Sequence, residues 1–244
     1  GVKSLSVTLD TLGVFGRTVS DVALGVAAMS ADHDLMHIAP LESKLRIGIC
    51  KTNDFAQAKP ETAAALSLAG FAAKPLAKDA VIDVNLPVNC AKLSELQTTI
   101  MLFEMAKSFA FEKLKHWDQI RPTLKAILER GDAIDYAEYS DALMKARLAR
   151  ASLEFLLTNE FDVLIAPSAT GEAPKTLEAT GDPIFSRGWT LMGVPCINLT
   201  VTSGPNGLPV GITLIAGLGK DRLLLSAAQA LAHQLSDPIA LNQA

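Results

Sequence analysis

Residues 182–217 read DPIFSRGWTLMGVPCINLTVTSGPNGLPVGITLIAG, and this stretch decides the fold. Two apolar runs, 196–201 and 209–216, flank Ser203-Gly204-Pro205-Asn206-Gly207. Asn-Gly and Gly-Pro mark turns, because glycine and asparagine tolerate positive φ. The runs therefore predict two neighbouring strands in an antiparallel hairpin. Both are rich in Val, Ile, Leu and Thr and alternate poorly, which is the pattern of strands buried on both faces. Phe185, Trp189, Leu191 and Met192 lead into Gly193-Val194-Pro195, a sharp turn into the first strand.

Outward from the hairpin, Asp221 opens an amphipathic helix to about Gln234, with Leu223, Leu224, Ala227, Ala228 and Leu231 facing inward. Residues 161–166 form a buried strand, and the loop 168–182 after it is long for a simple connection, a place where function concentrates. Upstream, residues 45–50 and 80–86 read as strands. Pro60 opens a helix between them. That β-α-β order implies parallel pairing through a helical crossover. Thr18-Val19-Ser20-Asp21 is a capping box at the head of a helix ending near Ser30. Residues 31–44 form a linker.

The middle, about 92–159, reads as a helical layer. Ser94-Glu95-Leu96-Gln97 is a capping-box pattern. Leu96, Ile100, Phe103, Lys107 and Ala110 mark one stripe of the helix that follows. Pro122 starts a short helix that Gly131 terminates. Asp135 caps a longer one whose exposed face carries Lys145, Arg147, Arg150 and Glu154. The whole is an α/β chain, read as a single domain over residues 1–244: a mixed β-sheet flanked by helices.

Composition narrows the function classes. Apolar residues make up 49% and charged residues 20% of the chain, enough to build a core and too apolar for disorder. The net charge of -4 comes with no basic cluster, so nucleic acid is not an expected partner. No run of about 18 apolar residues occurs, so no membrane span is expected. Cys50, Cys90 and Cys196 are scattered and unpaired in pattern, which suggests reduced, mostly buried thiols and a cytoplasmic setting. Cys196, inside a strand run, reads as core.

The stretches GWTLMGVPCINLTV and NGLPVGITLIAG, followed by Asp221-Arg222-Leu223-Leu224, resemble the C-terminal half of the amidase-signature hydrolases. Ser6-Val7-Thr8-Leu9-Asp10-Thr11-Leu12-Gly13 and Arg17-Thr18-Val19-Ser20-Asp21 resemble the segment that follows the catalytic core of that family. The resemblance runs nearly end to end; one small departure is Thr213, where the family often has Gln. It implies the C-terminal part of an amidase fold and hydrolysis of amide C–N bonds in small-molecule substrates, with no cofactor and no metal. The family uses a serine nucleophile, a second serine and a buried lysine base. The resemblance places all of them upstream of Ser6–Gly13, so the catalytic triad is expected to be absent and this chain inactive alone.

Several local clusters invite other readings. Lys3, Ser4 and Ser6 mimic a triad, but they lie in the wrong place relative to Asp10–Gly13, and a solvated lysine stays protonated. His33 and His37, spaced i and i+4 about Asp34, could ligate a metal in a metal-dependent hydrolase. The acid is Asp, Pro40 follows closely, and exposed linker histidines are the plainer reading. Phe185, Arg187, Trp189 and Thr190 correspond to a stretch near the acyl-substrate pocket of the family. Arg187 could bind a carboxylate and Trp189 could wall an apolar pocket; equally, Phe185 and Trp189 could be helix core. Asp10-Thr11-Leu12-Gly13 reads as a structural turn.

If the upstream strands of the fold are absent, a broad apolar face should lie uncovered. The chain is then expected as a homo-oligomer or paired with a missing N-terminal half. A non-catalytic binding or assembly protein on the same scaffold is the alternative function.

Overall fold

The computed structural model describes residues 1–176 and 178–236. Five strands form one mixed sheet: β1 (Ile47–Cys50), β2 (Ile82–Val84), β3 (Val163–Pro167), β4 (Cys196–Ser203) and β5 (Pro209–Ala216). Their order is β2-β1-β3-β5-β4. β1 pairs parallel with both β2 and β3, while β5 runs antiparallel to β3 and β4. The five strands stand where the apolar runs place them, and the hairpin and the parallel β-α-β unit both form.

One face of the sheet is covered by α1 (Val19–Ser30), α2 (Pro60–Ala73) and α8 (Asp221–Ser236). The other is covered by α3 (Leu93–Ser108), α6 (Tyr136–Asn159) and α7 (Ile184–Met192). The period-two geometry of a strand divides each run between these cores. Val163 and Ile165 join the first cluster, Leu164 and Ala166 the second. α4 (Ala110–His116) and α5 (Pro122–Asp132) complete the helical layer, with α5 packed on α3.

The helix starts follow local chemistry. Thr18 closes a full capping box with Asp21 at the head of α1. Pro60 stands in the first turn of α2, where its missing N–H costs nothing. The Asp135 carboxylate accepts from the Glu138 amide at the head of α6, 2.8 Å away.

Five expectations are corrected. Ser94 does not cap α3; the helix begins at Leu93, and the Ser94 hydroxyl donates to Asp54 at 2.8 Å. Gly131 does not end α5; it lies inside the helix, where an added Cβ would sit 2.1 Å from the Leu102 carbonyl oxygen. Lys107 is exposed and Ala110 lies outside α3, whereas Glu104 is buried. Arg150 is half-buried and donates to the Leu191 carbonyl at 2.8 Å instead of lying on the exposed face of α6.

The fifth correction bears on function. β4 is an edge strand with alternating burial: Ile197 and Leu199 face the helices, while Cys196, Asn198 and Thr200 are exposed. Ile197 and Leu199 pack against the layer of α1, α2 and α8, whereas α3, α6 and α7 do not extend over the opposite face of β4, so only one of its faces is buried. The uncovered patch of sheet, formed by Cys196, Asn198, Thr200 and half-buried Thr213, is polar and small-residued, not broadly apolar.

Candidate functional site

An open groove crosses this polar patch. Asn198 of β4 and Thr213 of β5, paired in register, form part of its lining. Ser168, the first residue after β3, lies beside them. Its hydroxyl shares a 3.0 Å hydrogen bond with the Thr213 hydroxyl and accepts one from the Asn198 amide. Gly211, half-buried in β5, makes room for that amide; a Cβ there would approach Asn198 Oδ1 to 2.9 Å and the Leu199 carbonyl to 2.6 Å. Three segments distant in sequence thus converge on one cluster of hydroxyl and amide groups.

α7 and the turn after it form one side of the groove. Trp189 and Thr190 line it, followed by Gly193, Val194 and Pro195. Gly193 caps α7 in the left-handed conformation at φ 68°, a position that suits glycine. The helix reverses there and delivers the chain into β4. Trp189 is 4% exposed and its indole N–H has no hydrogen-bond partner among the described residues. A buried N–H of this kind normally finds an acceptor.

Thr11, Leu12 and Gly13 form another rim. They are held by a fold of the N-terminal segment. Asp10 accepts from the Ser4 hydroxyl at 2.7 Å and from the amides of Leu5 and Ser6 at 2.8 and 3.1 Å. These bonds, the Ser4 hydroxyl foremost, hold its carboxyl below the usual range. The segment is then pinned to the helical layer by Glu104. That carboxylate accepts from the hydroxyls of Ser6, Thr8 and Tyr139 and from the Thr8 amide. Burial would raise its pKa, but the hydrogen bonds outweigh burial and hold it below the ordinary glutamate value.

The tip of the β4–β5 hairpin is secured by Glu172, from the loop after β3. Its carboxylate accepts from the Asn206 amide and side chain at 2.9 and 2.7 Å and from the Leu208 amide at 3.0 Å. The long loop 168–182 is tied to α2 at its base, where the Lys59 amide and the Thr62 hydroxyl donate to the Thr170 and Ala169 carbonyls.

The residues singled out from sequence divide. Trp189 and Thr190 line the groove, but Phe185 and Arg187 do not. Phe185 is buried and opens onto a separate small cavity beside Thr52, Asp54 and Ser94. Arg187 is half-buried and paired with the chain's own Asp182 at 3.1 Å, so its guanidinium already holds a carboxylate. Ser168 and Asn198 carry no local signal; Thr213 stands out only as a departure from the resembling family.

The remaining clusters make no reactive centre. Lys3 pairs with Glu112 at 2.9 Å and donates to the Ser108 carbonyl, while Ser4 and Ser6 are engaged by Asp10 and Glu104. His33 and His37 lie on an exposed 3-10 turn and its cap. Among the described residues no group of three or more His, Cys, Asp or Glu could hold a metal ion. Cys50 and Cys90 are buried, and burial pushes both thiols up to about 11. Cys196, expected in the core, is exposed on β4.

With this geometry in view, comparison with known proteins gives the class. The Amidase family model matches residues 1–225. The chain belongs to that family, as the resemblance implied. It is 25% identical to one of the subunits of the mitochondrial glutamyl-tRNA(Gln) amidotransferase of Rattus norvegicus, covering 98% of this chain and 54% of that protein. It is 24% identical to the 6-aminohexanoate-cyclic-dimer hydrolase of a Pseudomonas species, covering 90% of this chain and 52% of that one. Among solved structures, an amidase superposes with a TM-score of 0.80 at 23% identity, over 96% of this chain and 55% of that chain. A protein from a vestigial complex linked to the origins of an s-triazine catabolic enzyme gives 0.79 at 22% identity, over 94% and 55%. The chain therefore spans about half the length of these relatives. No helix among the described residues is long and apolar enough to cross a membrane.

Proposed function

We propose that this chain forms one wall and part of the floor of the substrate groove of an amide hydrolase. On this reading the serine nucleophile, the second serine and the lysine base reside on polypeptide that the chain does not include. The observation that carries the reading is the company kept by Ser168. Its neighbours are the Thr213 hydroxyl and the Asn198 amide, and neither can take a proton. A serine hydroxyl is a weak nucleophile until an adjacent base accepts its proton. Among the described residues no lysine lines the groove, and the lysine side-chain hydrogen bonds go to carboxylates or a carbonyl.

The groove suits the binding half of amide hydrolysis. Asn198, Ser168 and Thr213 offer donors and acceptors to an amide group, and Trp189 with Val194 offers an apolar wall to an acyl chain. Thr190 stands on the same wall. The substrate class supported is a small-molecule amide. The test is hydrolysis of simple aliphatic and aromatic amides by this chain alone. Turnover at the uncatalysed background is expected; turnover abolished by a serine-directed inhibitor would overturn the reading.

The open edge of β4 favours a second reading, a non-catalytic binding or assembly protein on the amidase scaffold. It predicts association with a ligand or partner and no turnover even when the rest of the fold is supplied.

A further inference from the structure

Asn206-Gly207, at the tip of the β4–β5 hairpin, is the one Asn-Gly pair in the sequence. The backbone nitrogen that follows an asparagine can attack its side-chain amide carbon and displace ammonia. Glycine, with no Cβ and a free choice of φ, obstructs that attack least. Both residues are exposed, and Gly207 takes the left-handed conformation at φ 81°.

In the folded tip both reacting groups are engaged. Asn206 Nδ2 donates to Glu172 Oε2 at 2.7 Å, and the Gly207 N–H donates to the Gly204 carbonyl at 3.0 Å. The Glu172 carboxylate also accepts from the backbone amides of Asn206 and Leu208, at 2.9 and 3.0 Å. Gly204 makes room for this clamp, because a Cβ there would run into Glu172 Cγ. A carboxylate so placed also opposes ionisation of the Gly207 amide, which would set a second negative charge close by.

We propose that Asn206 is a site of spontaneous deamidation held in check by Glu172, and that its conversion unfastens the hairpin tip. The Gly207 nitrogen gives up its proton and attacks Asn206 Cγ. A C–N bond forms, the Cγ–Nδ2 bond breaks, and ammonia leaves with the proton, so that a succinimide remains. Solvent water opens either of its carbonyls and yields aspartate or isoaspartate. Each product sets a carboxylate against Glu172 where the Nδ2 donor stood, and a hydrogen bond becomes a repulsion between like charges. Isoaspartate also adds a carbon to the backbone of the turn, which draws the Leu208 amide off its acceptor. The inference is independent of the hydrolytic reading, because it needs neither the groove nor a substrate.

The test is ageing of the full chain at mildly alkaline pH, followed by peptide mass mapping and isoaspartate labelling. The same chain in strong denaturant gives the unguarded rate. Conversion at Asn206 is expected to be slower in the folded chain than in denaturant, and Glu172→Ala should raise the folded rate by about tenfold, the factor that loss of one charge-assisted hydrogen bond carries. Slow amide exchange in β3 of that variant shows that the sheet is intact. Glu172→Gln, which keeps the shape and removes the charge, should also convert faster than the unsubstituted chain, and it decides the matter if the alanine variant loses the sheet. Equal rates with and without the Glu172 charge, or conversion falling mainly on another asparagine, overturn the proposal. Asn206→Asp stands for the product: its Leu208 amide should exchange faster while β3 stays slow, and an unchanged Leu208 amide overturns the unfastening.

Discussion

The Ser6 hydroxyl donates a 2.5 Å hydrogen bond to the Glu104 carboxylate, joining positions 98 residues apart. Thr8 and Tyr139 complete the shell around the same carboxylate. One buried charge thereby holds the N-terminal segment against α3 and α6, and that segment carries the Thr11–Gly13 rim of the groove.

Glu104→Gln replaces a charged acceptor by a neutral amide that cannot accept from every donor around it. Hydrogen bonds to a charged group contribute about 1.5–3 kcal/mol, so a loss of roughly 2 kcal/mol is expected in urea unfolding at neutral pH. The folded-state pKa of Glu104 is lowered from the ordinary value of 4.5. Its contribution is therefore fully present above the unfolded value and is lost as pH falls through the folded one. The stability gap between the two proteins should narrow as pH drops below 4.5, because protonated Glu104 resembles glutamine. A gap that stays constant to low pH would show that the charge is not what matters.

Gly131→Ala tests the close crossing of α3 and α5. The added methyl would meet the Leu102 carbonyl at 2.1 Å, a backbone atom that cannot rotate away. Overpacking of this kind costs about 1–3 kcal/mol or more. Gly131 is not among the glycines with positive φ, so backbone strain plays no part, and an unchanged melting temperature would mean that the two helices spread to admit the methyl. Thermal unfolding distinguishes the two outcomes.

Glu172→Ala should loosen the hairpin tip without unfolding the sheet. The Asn206 and Leu208 amides lose their acceptor, so their hydrogen exchange should quicken while that of β3 stays slow. Burial opposes the charge of Glu172, but the bonds from Asn206 and Leu208 prevail and lower its pKa. Acidification of the unsubstituted protein should therefore reproduce the effect once pH falls below the folded-state value.

Much of this fold is written locally. The strands are apolar β-branched runs bounded by Gly, Pro and Asn, and the caps at Thr18 and Asp135 close within four residues. What local pattern misses depends on partners far away. Ser94 has a capping pattern, but Asp54 competes for its hydroxyl. Glu104 is a charge on a helix and reads as exposed until its distant partners assemble. The poor alternation of residues 196–201 suggests two buried faces, but burial depends on which helices reach over the strand, and β4 is covered on one face only. The groove is least legible, since Ser168, Asn198 and Thr213 come from three separate segments that only the sheet order brings together. Of the four residues chosen for it, Trp189 and Thr190 stand on its wall, Phe185 lies behind it, and Arg187 is occupied by Asp182.

On the proposed reading, the groove binds an amide without reacting, because its hydroxyls lack a base. Intact-mass analysis after exposure of the chain to a fluorophosphonate, which captures activated serines, tests this most directly. The expected result is an unmodified mass at neutral pH after prolonged incubation. Stoichiometric addition mapped to Ser168, or to Ser186 of α7, which lines the groove, would overturn that reading.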